Sequence, residues 1–190
     1  MSEQVRADDI RARKFRRWFE AVDADDDGAI TRNDMTVMSE RYIAARNASS
    51  ASSDAQQLTK ALDGLWAIIG TADRDGDGRV SFAEMLAVLE PATRDPGLYP
   101  EQFGQIGDLF FELADADGDG KIGLDEFTHI FGSTGRASGD ECAEVFDQLD
   151  LDASRGLSRS EYHTALREFL YGNDPGAPAN HLFGRLPALN

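Results

Sequence analysis

Residues 73–84 carry the most regular pattern in this chain: Asp73-Arg74-Asp75-Gly76-Asp77-Gly78-Arg79-Val80-Ser81-Phe82-Ala83-Glu84. Carboxylates stand at positions 1, 3, 5 and 12 of this segment, with a glycine at position 6 and a hydroxyl at position 9. A calcium ion takes about six to eight oxygen ligands, and alternate residues of a tightly turned loop can direct oxygens toward one centre. Glycine permits the sharp turn because it adopts a positive φ without strain. The segment therefore predicts a calcium-binding loop, whose ligands are Asp73, Asp75, Asp77, Ser81, Glu84 and the backbone carbonyl of Arg79.

The same pattern recurs in segments that begin at Asp23, Asp115 and Asp150. Four copies of this spacing, each between amphipathic helical patterns, are typical of EF-hand motifs, whereas solvated acidic turns would have to reproduce the spacing four times by chance. The candidate ligands of the first loop are Asp23, Asp25, Asp27, Ala29, Thr31 and Asp34. Those of the third loop are Asp115, Asp117, Asp119, Lys121 and Glu126. Those of the fourth loop are Asp150, Asp152, Ser154, Gly156 and Glu161.

The loops differ at positions that affect the ion. The first loop ends in Asp34, which is one methylene shorter than glutamate and favours a single-oxygen contact with six-coordination. Calcium, magnesium and an empty structural loop therefore stay open as alternatives there. The fourth loop has Arg155 at position 6, where a positive φ costs a non-glycine residue about 1 kcal/mol, and its glycine has moved to Gly156. We therefore expect the fourth loop to bind calcium more weakly. The third loop has Gly123 at position 9 and so lacks a side chain there, but we still expect it to bind calcium.

Helical patterns on both sides of each loop predict eight helices and an all-α fold. Each loop also has an apolar residue at position 8, pointing away from the ion. We expect these residues to lie in short extended segments that pair between neighbouring loops: Ile30, Val80, Ile122 and Leu157.

Breaks in the helical pattern mark the connections. The Ser/Ala-rich segment 47–53 ends the first exiting helix, and Asp54 is available as the N-cap of the next helix. Pro91, Pro96 and Pro100 separate the chain into two halves. We expect the two EF-hand pairs to form one compact globule with the tail packed on its core. The predicted regions are an N-terminal pair over residues 1–90, a linker over 91–100, a C-terminal pair over 101–171 and a tail over 172–190.

Composition supports ion binding and argues against several other functions. The chain has 190 residues and a net charge of −16, and the four loops hold 17 of its 35 acidic residues. Such an acidic protein is a poor candidate for binding nucleic acid or an anionic membrane. A lone Cys142 excludes an internal disulfide, and residues 1–20 lack the apolar run of a secretory signal, so we expect a cytoplasmic protein. No catalytic dyad or phosphate-binding loop is recognisable, so we expect a calcium-binding protein that is not an enzyme. We also expect a monomer, and whether it binds a partner protein stays open.

The tail bears on how calcium is used. Residues 172–180 contain glycines and prolines that exclude a regular helix, yet apolar side chains return after them at Leu182, Phe183, Leu186 and Leu189. A calcium sensor exposes a methionine-rich groove on binding, whereas a buffer barely opens. Few methionines are available for such a groove, namely Met35, Met38 and Met85. We therefore favour calcium buffering or transport, with the tail filling the groove, over the alternative of a sensor that binds a partner protein.

The chain resembles the bacterial calerythrin-like proteins and the invertebrate sarcoplasmic calcium-binding proteins over nearly its whole length. The resemblance rests on four loops with a widely spaced first pair, on the entry Phe15-Arg16-Arg17-Trp18-Phe19 and on the tail Leu182-Phe183-Gly184-Arg185-Leu186. It implies the same fold, calcium binding and an internal role for the tail. In that family one or more loops are usually defective, commonly the second, whereas the second loop of this chain is the most complete. The family's usual defect therefore does not carry over to the second loop of this chain.

Overall fold

The computed structural model describes residues 3–45, 49–132, 138–184 and 186. Over these residues the protein is predominantly helical, which confirms the predicted all-α class. The eight α-helices are α1 (Glu3–Val22), α2 (Arg32–Ala45), α3 (Ser53–Ile69), α4 (Phe82–Ala92), α5 (Gln105–Ala114), α6 (Leu124–Gly132), α7 (Gly139–Leu149) and α8 (Arg159–Tyr171). The short strands are β1 (Ala29–Ile30), β2 (Val80–Ser81), β3 (Lys121–Gly123) and β4 (Gly156–Ser158). In these ranges, every helix is too short or too polar to cross a bilayer.

The strands join the loops in two antiparallel pairs, as the apolar position 8 predicts. Strand β1 pairs with β2, which places Ile30 opposite Val80. Strand β3 pairs with β4, which places Ile122 opposite Leu157. All four of these side chains are fully buried. Each pair of loops is therefore held back to back by backbone hydrogen bonds and by one apolar contact across the strands.

Residues 19–91 form one compact unit around the first two loops. Its buried side chains are mainly apolar and include Phe19, Val22, Ile30, Met35, Leu58, Leu62, Leu65, Ile69, Val80 and Met85. Phe19 of α1 and Phe82 of α4 meet edge to face, with their ring centroids 5.5 Å apart. This contact joins the helix that enters the first loop to the helix that leaves the second.

Residues 1–18 and 92–190 form the other unit, around the third and fourth loops. Its core is rich in aromatic side chains, including Phe111, Phe127, Phe131, Phe146, Tyr162 and Phe169. Helix α7 begins at a capping box, in which Ser138 and Glu141 each accept a hydrogen bond from the other's backbone N–H. This pairing satisfies two amide donors that a helix N-terminus otherwise leaves open.

Most of α1 belongs to the unit of the third and fourth loops, whereas the sequence predicts residues 1–90 as one region. The fully buried Lys14 donates hydrogen bonds to the backbone oxygens of Glu168 and Gly172, at 3.2 and 2.7 Å. Arg11 donates to the backbone oxygen of Thr93 at 3.0 Å. An ammonium group at the C-terminus of a helix satisfies open carbonyls and interacts favourably with the helix dipole. These contacts between distant segments explain why most of α1 groups with residues 92–190 and not with the first two loops.

The tail packs on the core of this unit, as predicted. A 3-10 turn over Pro178–His181 contacts α7 and α8. Leu182 is fully buried, and the Phe183 ring lies 5.7 Å from Phe131 and 4.9 Å from Phe169 between centroids. Leu186 is also buried, while Leu189 lies outside the described residues.

The start of α3 differs from the prediction. Ser52, rather than Asp54, is the N-cap, because its hydroxyl accepts a hydrogen bond from the Ala55 N–H at 3.2 Å. Asp54 therefore lies within the first turn of the helix.

Candidate functional site

Each loop brings three carboxylates to a common point. One oxygen from each member lies within 4.8 Å of the others in four groups: Asp23, Asp25 and Asp27; Asp73, Asp75 and Glu84; Asp115, Asp117 and Glu126; Asp150, Asp152 and Glu161. In the second to fourth loops the group joins positions 1, 3 and 12. In the first loop it joins positions 1, 3 and 5. Closely spaced carboxylate oxygens of this kind can form the anionic part of a calcium cage.

Two residues of every loop adopt a positive φ. Position 4 is occupied by Asp26, Gly76, Gly118 and Ala153, and position 6 by Gly28, Gly78, Gly120 and Arg155. The positive φ of 66° at Arg155 agrees with the sequence prediction, whereas the 55° of Ala153 was not predicted. The fourth loop therefore turns twice through a region that disfavours side chains, which costs stability at both residues.

The turn at position 6 orients the first ligand. In all four loops the position-6 N–H donates to the position-1 carboxylate, with distances between 2.8 and 3.0 Å. Arg155 makes this bond to Asp150 at 2.8 Å, although it is not glycine. The loop geometry is thus preserved in the fourth copy despite the displaced glycine.

The position-12 carboxylate is held from two sides. Glu84 accepts from the Arg74 N–H with one oxygen, and from the Ser81 N–H and hydroxyl with the other, at 3.0, 2.9 and 2.7 Å. Glu161 and Ser158 repeat the arrangement and form a capping box at the start of α8. In the second and fourth loops the position-9 serine therefore orients the last ligand, and in the fourth loop it also caps the exiting helix. The serine followed three residues later by glutamate is a sequence signal for this pairing that our prediction overlooked.

Asp34 makes equivalent hydrogen bonds without joining the carboxylate group of its loop. One oxygen accepts from the Ala24 N–H at 2.8 Å, and the other accepts from the Thr31 N–H at 2.7 Å and from the Thr31 hydroxyl at 2.9 Å. The side chain is fully buried. Asp34 therefore makes the backbone contacts of a position-12 ligand, while the carboxylates grouped in this loop are those at positions 1, 3 and 5.

The position-5 aspartates of the second and third loops also lie outside the groups. Asp77 accepts from the Arg79 N–H, and Asp119 from the Lys121 N–H, each at 2.8 Å. The predicted ligands therefore reach the loop centres to different degrees, and the complete ligand set stays a prediction.

The donor chemistry fits a hard cation. Hydrogen bonds from the Ser81 N–H and hydroxyl, and then from the Arg74 N–H, lower the pKa of Glu84 to about 2, so this ligand is ionised at neutral pH. At Asp23, burial raises the pKa of the carboxyl against the lowering effect of hydrogen bonds from Gly28 and Asp27. The Oδ1 atom of Asp115 is buried and accepts no hydrogen bond from the described residues. A buried, unpaired carboxylate oxygen at position 1 is suited to ligate calcium.

In each pair of loops, a basic side chain at position 7 reaches the neighbouring loop. Arg79 of the second loop forms an ion pair with Asp27 of the first, with Nη2 3.0 Å from Oδ2. Lys121 of the third loop donates from Nζ to the Ser154 hydroxyl of the fourth at 3.0 Å. Both partners are candidate ligands at position 5 of their loops.

Comparisons with known proteins agree with the geometry. The EF hand family model matches residues 15–38, 68–89 and 106–131. Calerythrin from Saccharopolyspora erythraea is 27% identical over 169 residues, which cover 87% of this chain and 93% of that protein. A sarcoplasmic calcium-binding protein from Hediste diversicolor is 30% identical over 127 residues, 67% of this chain and 71% of that one. The calcium-loaded apo form of the coelenterazine-binding protein from Renilla muelleri superimposes with a TM-score of 0.77 at 25% identity, covering 98% of this chain and 100% of that one.

Proposed function

Because this chain belongs to the family of EF-hand calcium-binding proteins that includes the sarcoplasmic calcium-binding proteins, we propose that it is an intracellular calcium buffer rather than a sensor. Its role is then to take up and release calcium ions at the four loops. It requires no partner protein and no catalytic chemistry. The alternative is a regulator that binds a target when loaded.

The tail is the observation that carries the proposal. A sensor must offer an apolar groove to its target, which calcium opens. In the unit of the third and fourth loops, the Phe183 ring already packs against Phe131 and Phe169, and Leu182 beside it is fully buried. A target helix would have to displace this internal segment, and an intramolecular segment competes at a high effective concentration.

The methionines support the same function. Calcium sensors use exposed, flexible methionines to fit varied targets. Met35 and Met85 are instead buried in the unit of the first two loops. They contribute to its core and offer little surface to a partner.

Magnesium occupancy of the first loop is part of the proposal. The Asp34 carboxylate accepts hydrogen bonds from the Ala24 and Thr31 N–H groups. It is not one of the three carboxylates that are grouped in the first loop. A site with one fewer oxygen suits the octahedral coordination that magnesium requires. We infer that this loop exchanges calcium and magnesium, while the second and third loops prefer calcium.

A hydrophobic dye tests buffer against sensor. Fluorescence of the dye is measured with the full chain in chelator, in magnesium and in calcium, alongside a calorimetric calcium titration. A buffer shows calcium uptake by calorimetry with no gain in dye fluorescence. The variant Phe183→Ala loosens the tail and serves as the positive control, since it should increase dye binding. A several-fold gain in dye binding by the unmodified chain on calcium loading would instead establish a sensor.

A further inference from the structure

The two pairs of loops share one feature that calcium binding by itself does not require. Position 7 contributes only its backbone carbonyl to an EF-hand site, so its side chain is free to differ. In the second and third loops this side chain is basic, and it lies against a position-5 ligand of the neighbouring loop. The contact occurs in both units, between Arg79 and Asp27 and between Lys121 and Ser154.

Gly156 shows that the fourth loop accommodates Lys121. A Cβ atom added at Gly156 would lie 3.1 Å from the Lys121 Cβ and 3.0 Å from its Cδ. Arg155, and not Gly156, makes the positive-φ turn at this place. The glycine therefore leaves room for the stem of Lys121, which crosses the strand pair at Gly156 on its way to Ser154.

The lysine engages two predicted ligands of the fourth loop. Its ammonium group donates to the Ser154 hydroxyl at 3.0 Å. That hydroxyl in turn donates to the backbone oxygen of Gly156, the position-7 ligand, at 3.0 Å. A calcium ion that binds Ser154 and Gly156 must compete with these hydrogen bonds and approach a fixed positive charge.

Arg79 has the corresponding effect on the first loop. Its guanidinium pairs with Oδ2 of Asp27, whose Oδ1 accepts from the Ala29 N–H at 3.1 Å. Both oxygens of this ligand are thus occupied before an ion arrives. Unlike Lys121, Arg79 pairs with a full negative charge, so it also relieves repulsion among the carboxylates of the first loop.

We propose that Lys121 and Arg79 are internal counter-cations that lower the calcium affinity of the neighbouring loop and stabilise that loop when it holds no ion. The inference rests on the proposed function only in that the loops bind calcium. It makes the first and fourth loops the weaker member of each pair. The two loops of a pair then differ in calcium affinity because a side chain of the stronger loop weakens binding in the other.

The size of the effect follows from its position at the surface. Arg79 and Asp27 expose 44% and 38% of their side chains, so solvent weakens the charge interactions. We expect neutralisation of either cation to raise the calcium affinity of the neighbouring loop about three- to tenfold.

Site-resolved titration of the full chain tests the inference. The position-6 amides of Gly28, Gly78, Gly120 and Arg155 each donate to the first carboxylate of their own loop, so each amide resonance reports one site. Spectra are recorded over a series of chelator-buffered calcium concentrations. Lys121→Met removes the charge and the donor but keeps the length, and Lys121→Arg keeps the charge.

With Lys121→Met, the calcium midpoint reported by Arg155 should fall about three- to tenfold, and that of Gly120 should change much less. Lys121→Arg should leave both midpoints near those of the unmodified chain. Equal shifts at Gly120 and Arg155 would show a general charge effect and overturn the proposal, as would an unchanged midpoint at Arg155. If the third and fourth loops bind calcium but their midpoints do not change in Lys121→Met, the inference is rejected while the proposed buffering function stands.

Gly156→Ala and Arg79→Met test the inference without changing Lys121 itself. Gly156→Ala places a methyl group against the lysine stem, so it should raise the affinity of the fourth loop in the unmodified background and not in Lys121→Met. Arg79→Met should lower the midpoint reported by Gly28 more than that reported by Gly78. Arg74→Met removes an equal charge from position 2 of the same loop and is the matched control. An effect of Arg74→Met at Gly28 as large as that of Arg79→Met would contradict the assignment.

Discussion

At the scale of single residues, the last position of each loop distinguishes sites that otherwise look alike. Glu84, Glu126 and Glu161 satisfy backbone donors of their own loops and also lie in the carboxylate groups. Asp34 satisfies the equivalent donors and lies outside its group. Asp34 therefore differs from the three glutamates by one methylene and by its absence from the carboxylate group, although its hydrogen bonds are equivalent.

The variant Asp34→Glu tests this reasoning. The longer side chain should reach the ion with both oxygens, restore seven-coordination and raise the calcium affinity of the first loop, about tenfold, without strengthening magnesium binding. Calcium titrations with and without magnesium, followed at the Gly28 amide, measure the change in selectivity. A calcium-bound crystal structure in which Asp34 itself is bidentate would contradict the argument.

At the scale of secondary-structure elements, Lys14 connects two helices that are distant in the sequence. Its ammonium group lies at the C-terminus of α8, 5.6 Å from the centroid of the Phe169 ring. Burial, followed by the nearby charge of Arg11, lowers the pKa of Lys14 to about 8. The unfolded chain keeps a lysine pKa near its ordinary value of 10.5. Between these two values the unfolded state binds more protons than the folded state, so stability from this group rises with pH.

A comparison with Lys14→Met isolates this contribution. From pH 7 to pH 10 the unmodified chain should gain about 2 kcal/mol of unfolding free energy relative to the variant. Denaturant unfolding of both proteins at several pH values, in the same calcium concentration, provides the measurement. Parallel stability profiles for the two proteins would show that Lys14 keeps an ordinary pKa in the fold.

The tail depends on a backbone conformation at Gly184. This residue has a φ of 102°, and an added Cβ atom would overlap the guanidinium of the buried Arg17. Gly184→Ala should therefore cost about 1–3 kcal/mol and increase dye binding as the tail loosens.

Gly176→Ala is the matched control within the tail. Its added Cβ would lie 3.4 Å from the nearest side-chain atom, Oδ1 of Asp174, and its φ is not positive. We expect it to change the unfolding free energy by less than about 0.5 kcal/mol. Equal effects of the two substitutions on unfolding and on dye binding would reject the contact between Gly184 and Arg17 as the cause.

At the scale of the whole molecule, ion binding and stability are linked through charge. Most of the net charge of −16 lies in the loops. Without ions the loop carboxylates repel one another, and bound calcium would neutralise their charge. The hydrogen bonds that hold the ligands restrain these carboxylates but do not remove their charge.

Calcium should therefore raise the thermal stability of the chain. Ions bind the folded loops and not the unfolded chain, so a hundredfold excess over the dissociation constant adds about 2.7 kcal/mol per occupied site. Melting curves in chelator, magnesium and calcium measure the effect, and an equal concentration of sodium chloride controls for ionic strength. A melting temperature that does not respond to chelator would contradict calcium binding by the folded protein.

The helices and the positive φ at Arg155 could be predicted from the sequence because they depend on residues within about one loop length. The pairing of position 8 joins two loops, and it could be predicted because the same pattern recurs in each of them. The sharp turn at position 6, for example, is required by the loop itself. The position of α1 and the contact of Lys121 with Ser154 could not be predicted in this way. Lys14 and Gly172 are far apart in sequence, and Gly156 appears in the sequence only as a displaced turn residue. Such contacts form only when packing brings distant segments together, because only then can one segment's cation satisfy the open oxygens of another.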